Sequence, residues 1–325
     1  MNINAASIIV SLTSYPARIG TVHQVVRSLL TQTVKAWKIV LWLAREEFPG
    51  GVRSLPPELI ALTKEKNFMI DWCENIRSYK KLIPSLRKNP DSVIVTVDDD
   101  LLYPPDTLKR LVEAYQEAPN SIQALRVRII TAKSGEVQPF LDWLPTWIGD
   151  QGSAPESFDN HLIGFGGVLY PPKCLDRRVL DMSTAMEICS EQDDLWFWAM
   201  ALLKGTKVVG VSCKGFNPVP IAQAAESGLW VKNCVNGGND IALHRLFTRF
   251  PELKMRLSLF HPPLPKSARH LGGLIRSTRD GSRVFSVRIN VPIFQMKYNK
   301  DFSRITYYIL KVPVFRKRLD HTNHE

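Results

Sequence analysis

A chain of 325 residues with 45% hydrophobic and 22% charged residues carries enough apolar material for one large core or two smaller ones, at a balance usual for a soluble globular protein. The formal charge of +11 is uneven: residues 251–325 hold 15 Lys and Arg against 5 Asp and Glu, so ten of the eleven positive charges fall there and predict an anionic surface as partner. No apolar run spans a bilayer; the longest, residues 195–203, is half a span and ends at Lys204. Residues 1–6 lack the basic start of a signal peptide and 7–12 are too short for its apolar core. Five cysteines, odd in number, scattered and without a C-x-x-C, read as reduced thiols in a cytoplasmic chain.

Residues 7–12 predict a strand, 23–30 a helix, 38–43 a second strand, 57–66 a helix, 68–72 a third strand and 79–87 a helix. A fourth strand is expected over 93–97 and a helix over 107–117, which Asp106 can cap by itself. This regular alternation predicts a mostly parallel sheet with helices on both faces, and such sheets bind ligands at the carboxyl ends of their strands.

At the carboxyl end of the fourth strand stand Asp98-Asp99-Asp100. Three adjacent carboxylates repel one another and are not desolvated cheaply without a cation. In an extended backbone Asp98 and Asp100 share a face and aim at one point. Hard oxygen ligands of this kind suit Mg²⁺ or Mn²⁺ shared with substrate phosphates. The competing reading is an acidic turn that caps the next helix.

The second half is less regular. Residues 125–131 predict a strand, and 139–151 an aromatic loop carrying Trp143 and Trp147. Gly164-Phe165-Gly166-Gly167 feeds a short strand ending at Tyr170; it is no dinucleotide fingerprint, because Leu169 stands where the third glycine belongs. Glu191-Gln192-Asp193-Asp194 precedes an apolar helix over 195–200, and 207–211 predict another strand. Pro262, Pro263, Pro265, Gly272 and Gly273 mark a linker. Beyond it a weak repeat aligns Phe285–Phe294 with Thr306–Phe315, each copy ending in basic residues. Short aromatic strands with basic edges suit an anionic membrane surface, at about 1 kcal/mol per Lys or Arg; a strand pair with a solvated basic face is the alternative.

Ser11-Leu12-Thr13-Ser14-Tyr15-Pro16-Ala17-Arg18, the Asp triplet, the 164–167 turn and Glu191-Gln192-Asp193-Asp194 occur in an order that resembles GT-A-fold, family 2-like glycosyltransferases over roughly residues 7–245. The resemblance implies a GT-A (Rossmann-like) α/β domain over 1–250, with a nucleotide-sugar half over about 1–120, an acceptor half over about 121–250, and a small basic β-rich extension over 251–325. It implies a metal-dependent, inverting transfer of a sugar from a nucleotide-sugar donor to a glycan or lipid-linked acceptor. Mn²⁺ or Mg²⁺ would sit on Asp100 and Asp98, with Asp98 alternatively on the ribose. Asp194, and after it Asp193, would be the general base; the competing reading is a helix start stabilised by its macrodipole. Thr13, Tyr15, Arg18 and Asp99 would line the nucleotide site. The usual Asp after the second strand is missing, since Leu43-Ala44-Arg45-Glu46 stands there, so Glu74 is the substitute expected to read the base. Arg77, Lys80 and Lys81 either face the diphosphate or form a solvated helix face. Gly166, Gly167, Trp143 and Trp196 are candidates for donor-sugar and acceptor contacts, although buried tryptophans are the commoner case. His244, His261 and His270 have no spacing that selects one as a further metal ligand, and none is assigned.

The basic tail fits an acceptor carried at the inner face of the plasma membrane, as in lipopolysaccharide core, O-antigen or capsular polysaccharide assembly. Two other classes compete. A Mg²⁺-dependent phosphohydrolase with an Asp nucleophile needs its D-x-D after the first strand and a Thr two residues on, whereas here three strands come first and Leu102 holds that place. A non-catalytic polyanion-binding protein led by the tail is the other; no nucleic-acid motif is visible, so no nucleic-acid partner is expected.

Overall fold

The computed structural model describes residues 8–133, 136–147, 152–221 and 231–257, and five strands between 275 and 318. The chain forms two compact units, residues 1–147 with 152–260, and 148–151 with 261–325.

The first unit follows the expected alternation closely. Strands β1 (Ile8–Thr13), β2 (Lys38–Ala44), β3 (Phe68–Cys73) and β4 (Val93–Thr96) are separated by helices α1 (Val22–Leu30), α2 (Pro57–Ala61) and α3 (Ile83–Lys88). Helix α4 (Thr107–Glu117) follows. Then come β5 (Ile122–Ala124), β6 (Val127–Ile129), β7 (Ala154–Ser157), β8 (Asn160–Leu162) and β9 (Val168–Tyr170). Helices α5 (Met182–Cys189) and α6 (Asp193–Lys204), β10 (Val208–Gly210), α7 (Gly238–Arg249) and α8 (Glu252–Arg256) complete the unit.

Eight strands form one sheet in the order β7-β10-β5-β9-β4-β1-β2-β3. The pairs β1–β2, β1–β4, β2–β3 and β10–β5 are parallel, while β9 runs antiparallel between β4 and β5, and β7 is an antiparallel edge. Six strands therefore point one way and two the other. The β1 run is apolar apart from the buried Ser11 because both faces are covered: Ile8, Val10 and Leu12 join the core built with α1, α2 and α4, while Ile9 turns to Val40 and Trp42 on the other face. Helices α3, α5, α6 and α7 contribute to the second large core with Ile94 and Tyr170. This is the mostly parallel, helix-flanked α/β architecture expected of a GT-A-like domain.

Local differences have identifiable causes. The helix expected over 79–87 is a 3₁₀ turn, Arg77–Lys81, followed by α3, with Pro84 in the first turn of α3 where its missing N–H is harmless. The helix over 57–66 tightens to a 3₁₀ turn after Ala61. Of the strand expected over 125–131 only β6 forms, in a separate antiparallel sheet between β8 and Leu144–Pro145, while β5 lies just before that range and enters the large sheet. Asp106 stands at the start of α4 but turns its carboxylate to Arg110 at 2.7 Å, and Gln32 accepts the Leu108 N–H instead. All five cysteines are free thiols.

In the second unit β11 (Ile275–Ser277), β12 (Arg283–Val287), β13 (Phe294–Tyr298), β14 (Arg304–Ile309) and β15 (Val312–Arg318) pair antiparallel in chain order. The two repeat copies thus begin in β12 and β14 and run on to β13 and β15. The turn residue Pro292, the linker, His261 and His270 lie outside the described residues, as do residues 148–151 of the aromatic loop. Among the described residues no helix is long and apolar enough to cross a membrane.

Candidate active site

The site forms where the carboxyl ends of β1 and β4 meet the start of α6. After β4 the chain leaves the sheet. The Asp98 N–H is donated to the Tyr103 hydroxyl at 2.9 Å, and that hydroxyl donates to the Phe165 carbonyl at 3.1 Å, tying the Asp triplet to the glycine turn. No carboxylate of the triplet caps α4, so the acidic-turn reading has no support in the contacts. Asp99 points inward: it is 6% exposed and accepts from Ser14 Oγ at 2.6 Å and Arg18 at 2.9 Å. Arg18 also reaches Asp100 at 3.0 Å.

Lys81 holds the other side together. Ser11 Oγ donates to the Lys81 carbonyl at 2.6 Å and docks its turn on β1, which carries the ammonium into the acid cluster. At 5% exposure, Lys81 Nζ lies 3.0 Å from Asp193, 3.1 Å from Asp98 and 3.4 Å from Asp194. Burial alone would lower its pKa, but these carboxylates hold it well above the ordinary lysine range. Asp193 and Asp194 form the first turn of α6, a helix apolar on all sides that ends at the left-handed Gly205. Asp194 also accepts the Gly164 N–H at 2.7 Å. Burial, then the charges of Asp193 and Asp98, outweigh Lys81 and raise the Asp194 carboxyl to about 7. Burial and the neighbouring Asp98 raise Asp100 to about 6.

Two cavities meet here. One, of about 510 Å³, is lined by Thr13, Tyr15, Glu47, Asn75, Arg77 and Lys80, among others. The other, of about 390 Å³, runs from Asp98 and Asp100 to Arg128, Trp147 and His161. Arg18, Asp98, Glu191, Asp193, Asp194 and Asn233 line both. At this junction five aspartates (Asp98, Asp99, Asp100, Asp193 and Asp194) have Lys81 and Arg18 as their close cationic partners among the described residues. Burial and then the Asp98 charge disfavour the charged form of Asp100, so additional positive charge at this junction would stabilise it. Among the described residues no group of three or more His, Cys, Asp or Glu could hold a metal ion alone. Asp98 and Asp100, the pair expected to hold a divalent ion, both line the smaller cavity, Asp98 paired with Lys81 and Asp100 with Arg18.

The expected residues divide accordingly. Thr13, Tyr15, Arg18, Lys80, Lys81, Asp98 and Asp99 line the larger cavity. Lys80 and Lys81 are not a solvated helix face: both are buried, Lys80 pairing with Glu47 and Lys81 with the aspartates. The Thr13 hydroxyl is spent on the Trp42 carbonyl at 2.8 Å. Glu74 turns away to Arg87 at 2.8 Å and lines neither cavity; Glu47 and Asn75 take the place expected of it. Trp196 is wholly buried and donates to the Val179 carbonyl, and Trp143, 1% exposed, donates to the Gln138 carbonyl, so neither offers a face to a sugar. Trp147 lines the smaller cavity instead. Gly166 and Gly167 line neither cavity: Gly166 makes room for Arg126, and Gly167 takes φ +94°. Within that turn it is Gly164 that reaches the acid cluster. His244 is exposed on α7 and lines neither cavity.

The sequence matches no known family model and no curated protein. Among solved structures it is similar to S. aureus TarS 1-349, at 13% identity over 82% of this chain and 79% of that one, with a TM-score of 0.45. It is similar also to the mannosyltransferase PcManGT from Pyrobaculum calidifontis, solved with GDP-Man and Mn²⁺, at 13% identity over 82% and 74% of the two chains, TM-score 0.46. A third similar structure is the inositol-1-phosphate CTP transferase from T. maritima, at 10% identity over 75% and 97%, TM-score 0.43.

Proposed function

We propose that the protein is a glycosyltransferase that moves a sugar from a nucleotide-sugar donor to a glycan or glycolipid acceptor with inversion at the anomeric carbon. The observation that carries this reading is the junction itself: a raised carboxylate, Asp194, and an acid pair suited to a divalent ion, Asp98 and Asp100, line the meeting point of two cavities.

The larger cavity suits the nucleotide, with Glu47 and Asn75 as hydrogen-bonding groups for the base or ribose and Arg18 close to the diphosphate end. A Mg²⁺ or Mn²⁺ on Asp98 and Asp100 would absorb the charge that develops on a diphosphate leaving group. The smaller cavity suits the acceptor. An Asp194 carboxyl held at about 7 takes a hydroxyl proton near neutral pH, where a fully exposed aspartate is too weak a base. Lys81 keeps Asp193, Asp194 and Asp98 in register, and Gly164 fixes one oxygen of the base, so the pair does not reorganise during reaction.

The basic segment over 251–325 and the reduced cysteines favour a peripheral enzyme at the cytoplasmic face of a membrane, acting on a lipid-carried cell-surface glycan such as lipopolysaccharide or capsule. Incubating the full chain with UDP- and GDP-sugars and Mn²⁺ tests the reaction class. Donor hydrolysis that disappears in Asp100→Asn is expected; no turnover or binding of any donor, or an Asp100→Asn variant as active as wild type, refutes it.

A further inference from the structure

Part of the lining of the smaller cavity has a different chemistry from the aspartates. Arg128, on β6, lines this cavity and is half-buried. Its Nη1 donates to the Trp143 carbonyl at 3.1 Å, and the guanidinium lies 5.1 Å from the Phe140 ring centroid and 5.4 Å from that of Trp147. Among the described residues no carboxylate makes an ion pair with it; Asp240 is turned to the Phe140 N–H at 2.8 Å. Burial lowers the Arg128 pKa, opposed only by the Cys234 thiol. A half-buried cation with aromatic walls and no anion is costly to keep unless something else pairs with it.

His161, on β8 and opposite Arg128 in register, lines the same cavity at 1% exposure, and neither ring nitrogen has a hydrogen-bond partner. It stands edge-on to Phe140 and Trp143, with ring centroids 5.6 and 5.4 Å apart. Burial and the Arg128 charge lower it to about 3, so it is neutral at ordinary pH and keeps one N–H to donate. Fully buried polar atoms without partners are uncommon, and two on one ring, opposite a guanidinium that makes no ion pair among the described residues, point to a polar ligand as their partner.

We propose that Arg128 and His161 form an anion subsite, so that the sugar unit entering this cavity carries a carboxylate or a phosphate. This rests on the glycosyl-transfer reading for the identification of the cavity with the acceptor. The lining carries both signs of charge: in this reading an acceptor hydroxyl meets Asp194, and the acidic group meets Arg128 and His161, with Trp147 beside Arg128 as an apolar wall. The aspartates would repel an anion presented backwards, which fixes the orientation of the acceptor as well as its class.

Saturation-transfer NMR on the full chain, with glucose, glucuronic acid and glucose 6-phosphate as probes, tests the subsite and tells the carboxylate from the phosphate source. Binding of at least one acidic sugar tenfold or more tighter than glucose is expected. Arg128→Met should reduce that binding to the level of glucose and leave Mn²⁺-dependent binding of UDP or GDP unchanged, while Arg128→Lys retains part of it. Equal binding of glucose and the acids, no binding of either acid, or undiminished acid binding by Arg128→Met overturns the proposal. Should Arg128→Met not fold, the wild-type comparison of acidic and neutral probes decides alone. Acid binding without any donor turnover would remove the glycosyl-transfer reading and keep the subsite; donor turnover with no preference for acids would do the reverse.

Discussion

Gly164 and Asp194 are fitted to one another at backbone distance. The glycine N–H donates to Asp194 Oδ2 at 2.7 Å, and a Cβ added at Gly164 would stand 2.6 Å from Asp194 Oδ1 and 2.6 Å from Lys81 Nζ. A side chain of any size therefore displaces the carboxylate or the ammonium. Gly164→Ala is expected to destabilise the fold by about 1–3 kcal/mol, as overpacking does, and to reduce transfer by about 100-fold, the usual effect of a 1 Å misplacement. A melting curve together with steady-state kinetics checks it; an alanine variant with wild-type kcat would show that the approach is not needed.

Lys81 is the common partner of Asp98, Asp193 and Asp194, and its removal leaves three carboxylates facing one another. Lys81→Met should lose about 3–5 kcal/mol, as expected on breaking a buried ion pair from one side. The loss depends on pH in a definite sense. Asp100 and Asp194 have folded pKa values raised to about 6 and 7. Their contribution to stability is fully present below the unfolded value near 4 and is lost as pH rises through 6 and 7. Wild-type stability should fall over that window, and Lys81→Met should fall more steeply because nothing offsets the charges that appear. Urea unfolding at pH 5 and pH 8 measures both slopes; a variant deficit independent of pH would contradict this account.

The same carboxylate sets the activity profile. A general base must be ionised, so kcat/KM for transfer should rise with pH along a limb centred near 7, reporting Asp194. Asp194→Asn should lose about 10²–10⁴ in rate and with it the limb. Asp193 sits closer to Lys81 and accepts no backbone N–H from the glycine turn, so Asp193→Asn is expected to reduce activity while leaving the limb in place. A limb that survives in Asp194→Asn and vanishes in Asp193→Asn would reverse the two roles.

Much of the sheet was legible because β-branched runs buried on both faces leave an unbroken apolar signature, as in Ile8, Ile9 and Val10. The acid residues stood out for the same kind of reason, as charges at the end of a buried strand or at the start of an all-apolar helix, although a capping turn or a macrodipole explains each cluster alone as well. Partner choice was not legible. Glu74 and Glu47 look alike in sequence, and only the docking of the Arg77–Lys81 turn decides that Glu47 meets Lys80 while Glu74 meets Arg87. Trp196 and Trp147 likewise differ only in whether a neighbour covers the ring. Arg128 and His161 lie on short strands of a minor sheet, each too brief to show a period, and nothing in their flanking residues announces that they converge.

Asp99 and Asp100 are adjacent, yet their surroundings assign them different work. Asp99 is buried against Ser14 and Arg18, where hydrogen bonds to a charged group are worth about 1.5–3 kcal/mol each. Asp100 lines the smaller cavity, has Arg18 as its ion-pair partner among the described residues, and is disfavoured in its charged form by burial and Asp98. Asp99→Asn should therefore lower the melting temperature clearly at neutral pH, and whatever nucleotide binding remains should still respond to Mn²⁺. Asp100→Asn should leave the melting temperature at neutral pH unchanged or raise it, because burial and Asp98 disfavour the charge that the substitution removes, and should weaken Mn²⁺-dependent binding of UDP or GDP more than tenfold. Thermal unfolding with and without nucleotide and Mn²⁺ separates the two. If both variants lose stability alike and both still bind nucleotide in response to Mn²⁺, the acid pair at the end of β4 is scaffolding and the site for a divalent ion must be sought elsewhere.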